Sequence, residues 1–518
     1  MSSCCDLSAL SHETNYIRYM GIPSYYRKLV NTIKGLVVKQ APAAKALYFD
    51  FNCLIYYIAR KPNLLPSYPG EDGKTEWEAK LIEEIVRYVE KLWEEVGKPE
   101  TVFLGIDGVV PMAKIRQQRL RRFKSIWLAK EETALGLRSK EPSWDTNCIT
   151  PGTVFMEKLG LALQTLCFKR KGWSVSTASE PGEGEHKVMR LLRESTSTDP
   201  IIIYGLDADL VLLTMLNSKG PAYLMREDQD QPDRYAYLST ELLKQALNLS
   251  THEEILEYVA GMTLLGNDFL PHSMTIKIKE DGHGLLMEEL KELKKAGLGL
   301  LNGLAFRKEA LVFLFERWAA KEKDLLFHTI KRKMQMRGRP GPENVLENRP
   351  LEWCVEKPLM QQQDRWSEYY TKEWLMCSSQ SLDKACTMYL EGLQWVVDYY
   401  TGKEVNTEWY FPYYVPPLWS QLASYVTSLT VLPSAKIGSS LPIEPQEQLA
   451  MVLPLESWHL LDKAPAHIRT LPARKPHYWP HTFSFFSAGR LWMWECEPIL
   501  PLVLVRNVRA ADVRGKQV

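Results

Sequence analysis

Long apolar runs are missing from this sequence, and so is any pair of cysteines in CxxC spacing. No uninterrupted apolar stretch reaches the roughly 20 residues that cross a bilayer. The opening MSSCCDLSALSHETNYIRY has neither the basic start nor the apolar centre of a secretory signal. Nine cysteines, an odd number scattered from Cys4 to Cys496, give neither a disulfide framework nor a zinc knuckle. A reducing compartment follows, and an intracellular, cytoplasmic location is the expectation, although KRKMQMRGR also reads as a nuclear signal or a solvated loop. Repeats and low-complexity tracts are absent too. Charge of one sign is not in excess, since the formal net charge is +1. Any site for phosphate or nucleic acid must therefore be a local cluster.

What is present is an ordinary globular composition, 45% hydrophobic and 25% charged over 518 residues, enough for several cores. Three short strand-like runs in the first half end in aspartate: ALYFD at Asp50, TVFLGID at Asp107, and IIIYGLDAD at Asp207 and Asp209. Helical patterns lie between them, at 75–96, 154–170 and 186–194. That alternation predicts an α/β core, a mostly parallel central sheet flanked by helices, with ligands collecting beyond the carboxyl ends of its strands. A further amphipathic helix begins near residue 251, with Ile255, Val259, Met262 and Leu265 inward, and Gly266 stops it ahead of Asp268. The expected organisation is an extension over 1–19, the α/β core over 20–275, and a helical, aromatic-rich part over 276–518 with an exposed loop at 331–350.

The stretch EPGEGEHKVMRLL, 180–192, sets Glu183 and Glu185 between glycines just before a helix. Acids suit a first helical turn, but that accounts for only one of the two. Together with Asp50, Asp107, Asp207, Asp209 and Asp268 they make seven carboxylates from five segments aimed at one sheet edge. Taken singly, each reads as a cap or turn residue, and Asp207 and Asp209 suit the helix expected from Leu210. Taken together they repel one another unless cations intervene. Oxygen donors favour Mg²⁺ or Mn²⁺ over zinc, and the number of carboxylates suits two ions for phosphodiester cleavage, with the glycines letting the backbone crowd the metals. His186 and Lys187 read as supporting or surface groups.

PMAKIRQQRLRRFKSIW follows Asp107 closely. Lys114, Gln118, Arg121 and Arg122 fall on one stripe of its helix, a donor set suited to a terminal phosphate, whereas Arg116 and Arg119 fall off it and read as solvated.

The blocks IDGVVPMAKIRQQRLRRF, NCITPGT, PGEGEHK, YGLDADL and LLGNDFLPH, and later GLQWVVDYYTG, WYFPYYVPP and EPQEQLAMVLP, resemble those of the Xrn-type 5′→3′ exoribonucleases, in the same order from about Met20 onward. The resemblance implies a PIN/flap-nuclease-like core and processive, Mg²⁺-dependent hydrolysis of single-stranded RNA carrying a 5′-monophosphate, with release of nucleoside 5′-monophosphates. It implies that the seven acids hold the metal and that Lys114, Gln118, Arg121 and Arg122 hold the 5′-phosphate. The family stacks the first base between a histidine and a tryptophan. Here FDFNCLIY puts Cys53 at the usual glycine and Tyr56 at the histidine, and NTEW keeps Trp409 but puts Thr407 at the first tryptophan. Tyr56 and Trp409 are the stacking candidates, with core packing the plainer reading of Trp409 and its neighbours. MGIPSYYRKL starts at Met20 rather than at residue 1, and the long extensions of cytoplasmic members are not seen. The alternatives are a flap-type structure-specific DNA nuclease, and an RNA-binding scaffold of weak activity.

Overall fold

The computed structural model describes residues 22, 25–228, 231, 233–336, 346, 351–352, 354–378, 380–438 and 441–509. Residues 1–19 and Met20, Gly21, Pro23 and Ser24 lie outside the described residues. Seven strands form the central sheet: β1 (Val37–Val38), β2 (Ala46–Asp50), β3 (Thr101–Gly105), β4 (Trp173–Ser176), β5 (Ile201–Tyr204), β6 (Ala222–Glu227) and β7 (Tyr235–Ser239), in the spatial order β1-β7-β6-β5-β2-β3-β4. From β4 through β3, β2 and β5 to β6 every pairing is parallel, while β7 is antiparallel to both β6 and β1. The mostly parallel sheet is as expected from the alternating pattern. The β6–β7 hairpin and the β1 edge are additions.

Strand order explains where a ligand can sit. The chain steps outward from β2 to β3 to β4, then returns to the other side of β2 for β5 and β6. Where the direction of winding reverses, the connections leave a crevice at the strand carboxyl ends. Register aligns those ends, pairing Asp50 of β2 with Gly105 of β3 and Phe49 of β2 with Tyr204 of β5.

Each strand sends alternate side chains to opposite faces. Leu47, Phe49, Val102, Leu104, Ile202 and Tyr204 enter one core, shared with the helices Asn52–Arg60, Lys74–Glu95 and Val154–Phe168. The Lys74–Glu95 helix buries Trp77, Leu81, Ile85, Tyr88, Val89 and Leu92, a stripe at helical spacing. At about 1.5–3 kcal/mol for each large apolar side chain, that stripe outweighs any difference in propensity along the helix. Ala46, Phe103, Ile201 and Ile203 enter the other core, with the helices Gly184–Glu194, Asp209–Asn217 and His252–Thr263. The same core continues across residue 275 into the helices Lys308–Gln335, Leu382–Thr401 and Trp419–Ser428. Ile255, Val259, Met262 and Leu265 are buried there, as their spacing predicts.

The expected loop at 331–350 needs correction. Residues 331–335 form the last turn of the Lys308–Gln335 helix. Lysine, arginine, methionine and glutamine are good helix formers, and basic residues suit a helix carboxyl end. Lys333 is buried there and pairs with buried Glu356 at 2.7 Å. Of the remainder, residues 337–345 and 347–350 lie outside the described residues.

Candidate active site

The acids reach the crevice on four kinds of support. Asp50 is the last residue of β2, and Asp107 stands two beyond β3. Glu183 and Glu185 flank the first residue of the Gly184–Glu194 helix. Asp207 lies in the turn after β5, Asp209 begins the Asp209–Asn217 helix, and Asp268 follows the His252–Thr263 helix. The capping explanation does not hold for two of them. Glu183 stands at an N-cap position without a side-chain cap bond, and the helix that Asp209 opens has none either. By contrast Thr251 and Glu254 form a complete capping box on their own helix.

Gly184 lets backbone come close to the acids. A Cβ on Gly184 would lie 2.3 Å from the Gly105 carbonyl oxygen and 3.0 Å from Asp50 Oδ1. Gly184 thus lets the helix start press on the end of β3 and on Asp50. From there its N–H donates to Asp107 Oδ1 at 2.7 Å. Asn52 donates its Nδ2 to the other oxygen at 3.0 Å and accepts from the Asp107 N–H at 3.2 Å. Asp107 is clamped from both sides.

Lys114 enters the acids from the basic helix, Met112–Ala134. Its Nζ lies 2.6 Å from Glu183 Oε2 and 2.7 Å from Asp268 Oδ2. Tyr399 donates its hydroxyl to Glu183 Oε1 at 2.8 Å. The remaining acids are less well served. Glu185 Oε2, Asp207 Oδ1 and Asp209 Oδ1 are buried without a hydrogen-bond partner. Oxygens of Asp50, Glu185 and Asp207 lie within 4.8 Å of one another, as do ligand atoms of Glu183, Glu185 and His186.

Burial governs the electrostatics. It pushes the Asp50 carboxyl well up, with Asp107 and Asp207 adding to the effect. Glu185 and Asp209 are raised in the same way, burial first and then neighbouring acids. Asp107 is raised by burial and by Glu183. Asp207 is pushed up to about 7 by burial, with Asp268 adding and Lys114 and Arg121 opposing. Glu183 goes the other way: burial pulls it up, but the Lys114 ammonium, with the Tyr399 hydroxyl assisting, outweighs that and holds it below the usual range. Burial also lowers the His186 imidazole to about 4 and Lys187 to about 8. Buried acids whose oxygens lack protein donors are expensive to ionise. Divalent cations with hard, oxygen-seeking shells supply what is missing, so the residues present fit Mg²⁺ or Mn²⁺.

The basic stripe begins inside this cluster. Lys114, Gln118 and Arg122 are buried and Arg121 is half-buried. Arg122 Nη1 donates to Thr150 Oγ1 at 2.6 Å, and the Gln118 amide oxygen meets Gln448 Nε2 at 3.5 Å. Arg121 is near enough to Asp207 to lower its pKa. The helix start is held by Met112 N–H on the carbonyl of Thr407, whose own residue is exposed. Arg119 corrects its expectation, for it is 2% exposed rather than solvated. Its guanidinium donates to the Met451 carbonyl at 2.8 Å and to that of Tyr478, and lies 4.5 Å over Phe123. Arg116 likewise lies 5.2 Å over the Tyr414 ring. Long side chains with planar heads pack well against rings, which helical phase alone cannot reveal.

Tyr56 stands one helical turn after Asn52, half-buried, with the Arg60 guanidinium 5.4 Å over its ring. Trp409 is 5% exposed and stacked on Trp395 at 5.2 Å, which places it in the aromatic core. Lys187 is buried and binds the carbonyls of Ile106 and Thr177, tying β3 to the turn before Glu183. Asn52 and Tyr399 were not singled out from sequence. Asn52 stands two residues beyond the end of the Asp50 strand, a position that alone gives it no role, and nothing in sequence separates Tyr399 from its aromatic neighbours.

Comparison with known proteins adds the following. A family model described as the XRN 5'-3' exonuclease N-terminus matches residues 20–228, and one described as the Xrn1 helical domain matches 360–511. The human 5'-3' exoribonuclease 1 is 26% identical over 93% of this chain, which spans 33% of that protein. The 5'-3' exoribonuclease 2 of Gallus gallus is 24% identical over 95% of this chain and is covered over 70% of its length. Among solved structures, the catalytic core of Rad2 in complex with DNA substrate aligns over 79% of this chain and 95% of its own at 15% identity, with a TM-score of 0.34. Among the described residues no helix is long and apolar enough to cross a membrane.

Proposed function

Because the chain belongs to the Xrn family, we propose that it degrades single-stranded RNA processively from a 5′-monophosphorylated end, releasing nucleoside 5′-monophosphates. One observation carries this reading: the unpartnered, buried oxygens of Glu185, Asp207 and Asp209 lie in the same cluster as Lys114, the first member of the basic stripe. Glu185, Asp207 and Asp209, with Asp50, Asp107, Glu183 and Asp268, would hold two Mg²⁺ or Mn²⁺ ions. Such ions activate water and neutralise charge on the attacking and leaving oxygens.

The chain's own groups do the rest. Lys114, Gln118, Arg121 and Arg122 offer an ammonium, an amide and two guanidinium groups to the terminal phosphate. Seating that phosphate fixes the register, so the bond presented to the acids is always the next one along. Asn52 and the Gly184 N–H keep Asp107 from turning away while charge moves in the site. Tyr56, beside Asn52, offers its ring to the first base.

The test compares 5′-monophosphorylated with 5′-hydroxyl RNA in Mg²⁺. The phosphorylated substrate should decay faster, and Arg121→Ala should erase about 10–100-fold of that advantage, the value of a hydrogen bond to a charged group. Asp207→Asn should stop both reactions. Equal decay of the two substrates by the wild type defeats the phosphate pocket, and preferential cutting of branched DNA would revive the flap-type alternative.

A further inference from the structure

We infer that Tyr399 is a positioning residue for Glu183, held on line between the His186 ring and a stack of Trp395 on Trp409. The inference rests on the function proposed above and deepens it. Two contacts define the role. The Tyr399 hydroxyl donates to Glu183 Oε1 at 2.8 Å, while Lys114 takes the other oxygen at 2.6 Å. The Tyr399 ring is gripped on both faces, by His186 with centroids 3.9 Å apart and by Trp395 at 4.9 Å and 26°.

The column continues. Trp395 stacks on Trp409 at 5.2 Å and 28°, and its indole N–H is fixed on the Asn406 carbonyl at 2.8 Å. Phe269, next to Asp268, meets the Tyr399 ring edge-on at 5.5 Å and 90°. Packed on both faces and on one edge, the phenol has little freedom to turn, so the direction of its O–H is set. The dense aromatics of 391–419 thereby acquire a use beyond filling the core.

Glu183 needs such an anchor. Its Lys114 partner is shared with Asp268, and a divalent cation held by the cluster would compete with Lys114 for Glu183. A carboxylate anchored at one oxygen by a neutral donor keeps the other pointed at the cluster while the cation beside it changes. Lysine or arginine at position 399 would add a charge that competes with the ion. Phenylalanine would keep the column but release the carboxylate. The phenol does neither.

Tyr399→Phe therefore separates the hydroxyl from the packing. The experiment uses the full chain as wild type, Y399F, W395F, E183A and Y399F/E183A, with Mn²⁺ binding by calorimetry and decay of 5′-monophosphorylated RNA. Y399F should weaken Mn²⁺ binding about tenfold and lower kcat about tenfold at fixed Mn²⁺, with KM for RNA unchanged. Part of the kcat should return as Mn²⁺ is raised, which a merely structural loss would not allow. W395F thins the column without touching the hydroxyl and should show a smaller loss of the same kind. In the E183A background, where the contact is gone, adding Y399F should leave Mn²⁺ affinity unchanged, because the two act through one contact. Wild-type kcat and Mn²⁺ affinity in Y399F, or losses that multiply in the double variant, overturn the inference. A wild type without exonuclease activity would defeat the proposed function instead, while the Mn²⁺ titrations still decide the role of Tyr399.

Discussion

Gly184→Ala adds one methyl group at the point where the acid-bearing helix meets the sheet. The new carbon would lie 2.3 Å from the Gly105 carbonyl oxygen, and since real Cβ contacts essentially never fall below 3.0 Å, the helix start must move by about 0.7 Å. Neither neighbour can yield easily, because both are backbone, and the third contact is the Asp50 carboxylate. Overpacking of this kind costs about 1–3 kcal/mol of stability. The functional cost should be larger. Moving the helix start displaces Glu183 and Glu185 together and pulls the Gly184 N–H off Asp107. A shift approaching 1 Å in a reacting constellation costs about 100-fold in rate. Urea unfolding and decay of 5′-monophosphorylated RNA should be measured on the same preparations. Gly182→Ala is the control: its φ of 105° strains an alanine, yet its only neighbour within 4 Å is Lys187 Cγ, at 4.0 Å. It should lose stability on the order of 1 kcal/mol with turnover nearly intact. Wild-type turnover in Gly184→Ala, or equal activity losses in the two variants, would refute the claim that this contact sets the acids in place.

Asp209→Asn should raise the melting temperature of the metal-free protein, by on the order of 1 kcal/mol in stability, and abolish activity, because it removes one buried charge from a repelling set. The stability of the metal-free protein should also fall with rising pH. A carboxyl whose pKa is higher folded than unfolded stabilises fully below its unfolded value, and for Asp207 that contribution is lost as pH rises from 3.8 through about 7. Melting curves in EDTA should show this decline, and curves in Mn²⁺ should show it reduced or reversed. Lys333→Met should cost about 3–5 kcal/mol by stranding buried Glu356, and Lys333→Met with Glu356→Leu should recover most of the loss in denaturant titrations. Tyr56→Ala should weaken RNA binding by about 1–3 kcal/mol, measured by filter binding, with little change in stability, whereas Trp409→Ala should do the reverse.

The sheet was legible because burial and chemistry agree along the strands: apolar runs that must be covered on both faces end in the acids that must meet at the edge. The helix over 75–96 was legible for the same reason, its stripe running from Trp77 to Leu92. The two-residue strand β1 has no pattern of its own, since its existence depends on the β6–β7 hairpin beside it. Of the site, the acids and Lys114 could be found from charge and position. Asn52 and Tyr399 could not be assigned roles, because a neutral side chain gains a role only from what lies opposite it. Arg119 is not legible as buried because charge suggests water, while a guanidinium over Phe123 with carbonyls at its tips is well served in the interior.

That arginine has a wider implication. It faces away from the acids, into the packing of Leu449–Leu453, Ile468 and Trp479, where Met112, Ile115 and Phe123 of the same helix are also buried. The Met112–Ala134 helix is therefore a shared spine, presenting donors on one side and serving as a keel for the late-chain segments on the other. Cutting the polypeptide after the acid-bearing half would remove the late-chain segments that Met112, Ile115, Phe123 and Arg119 pack against, so the fragment should expose that face of the helix to water and lose stability.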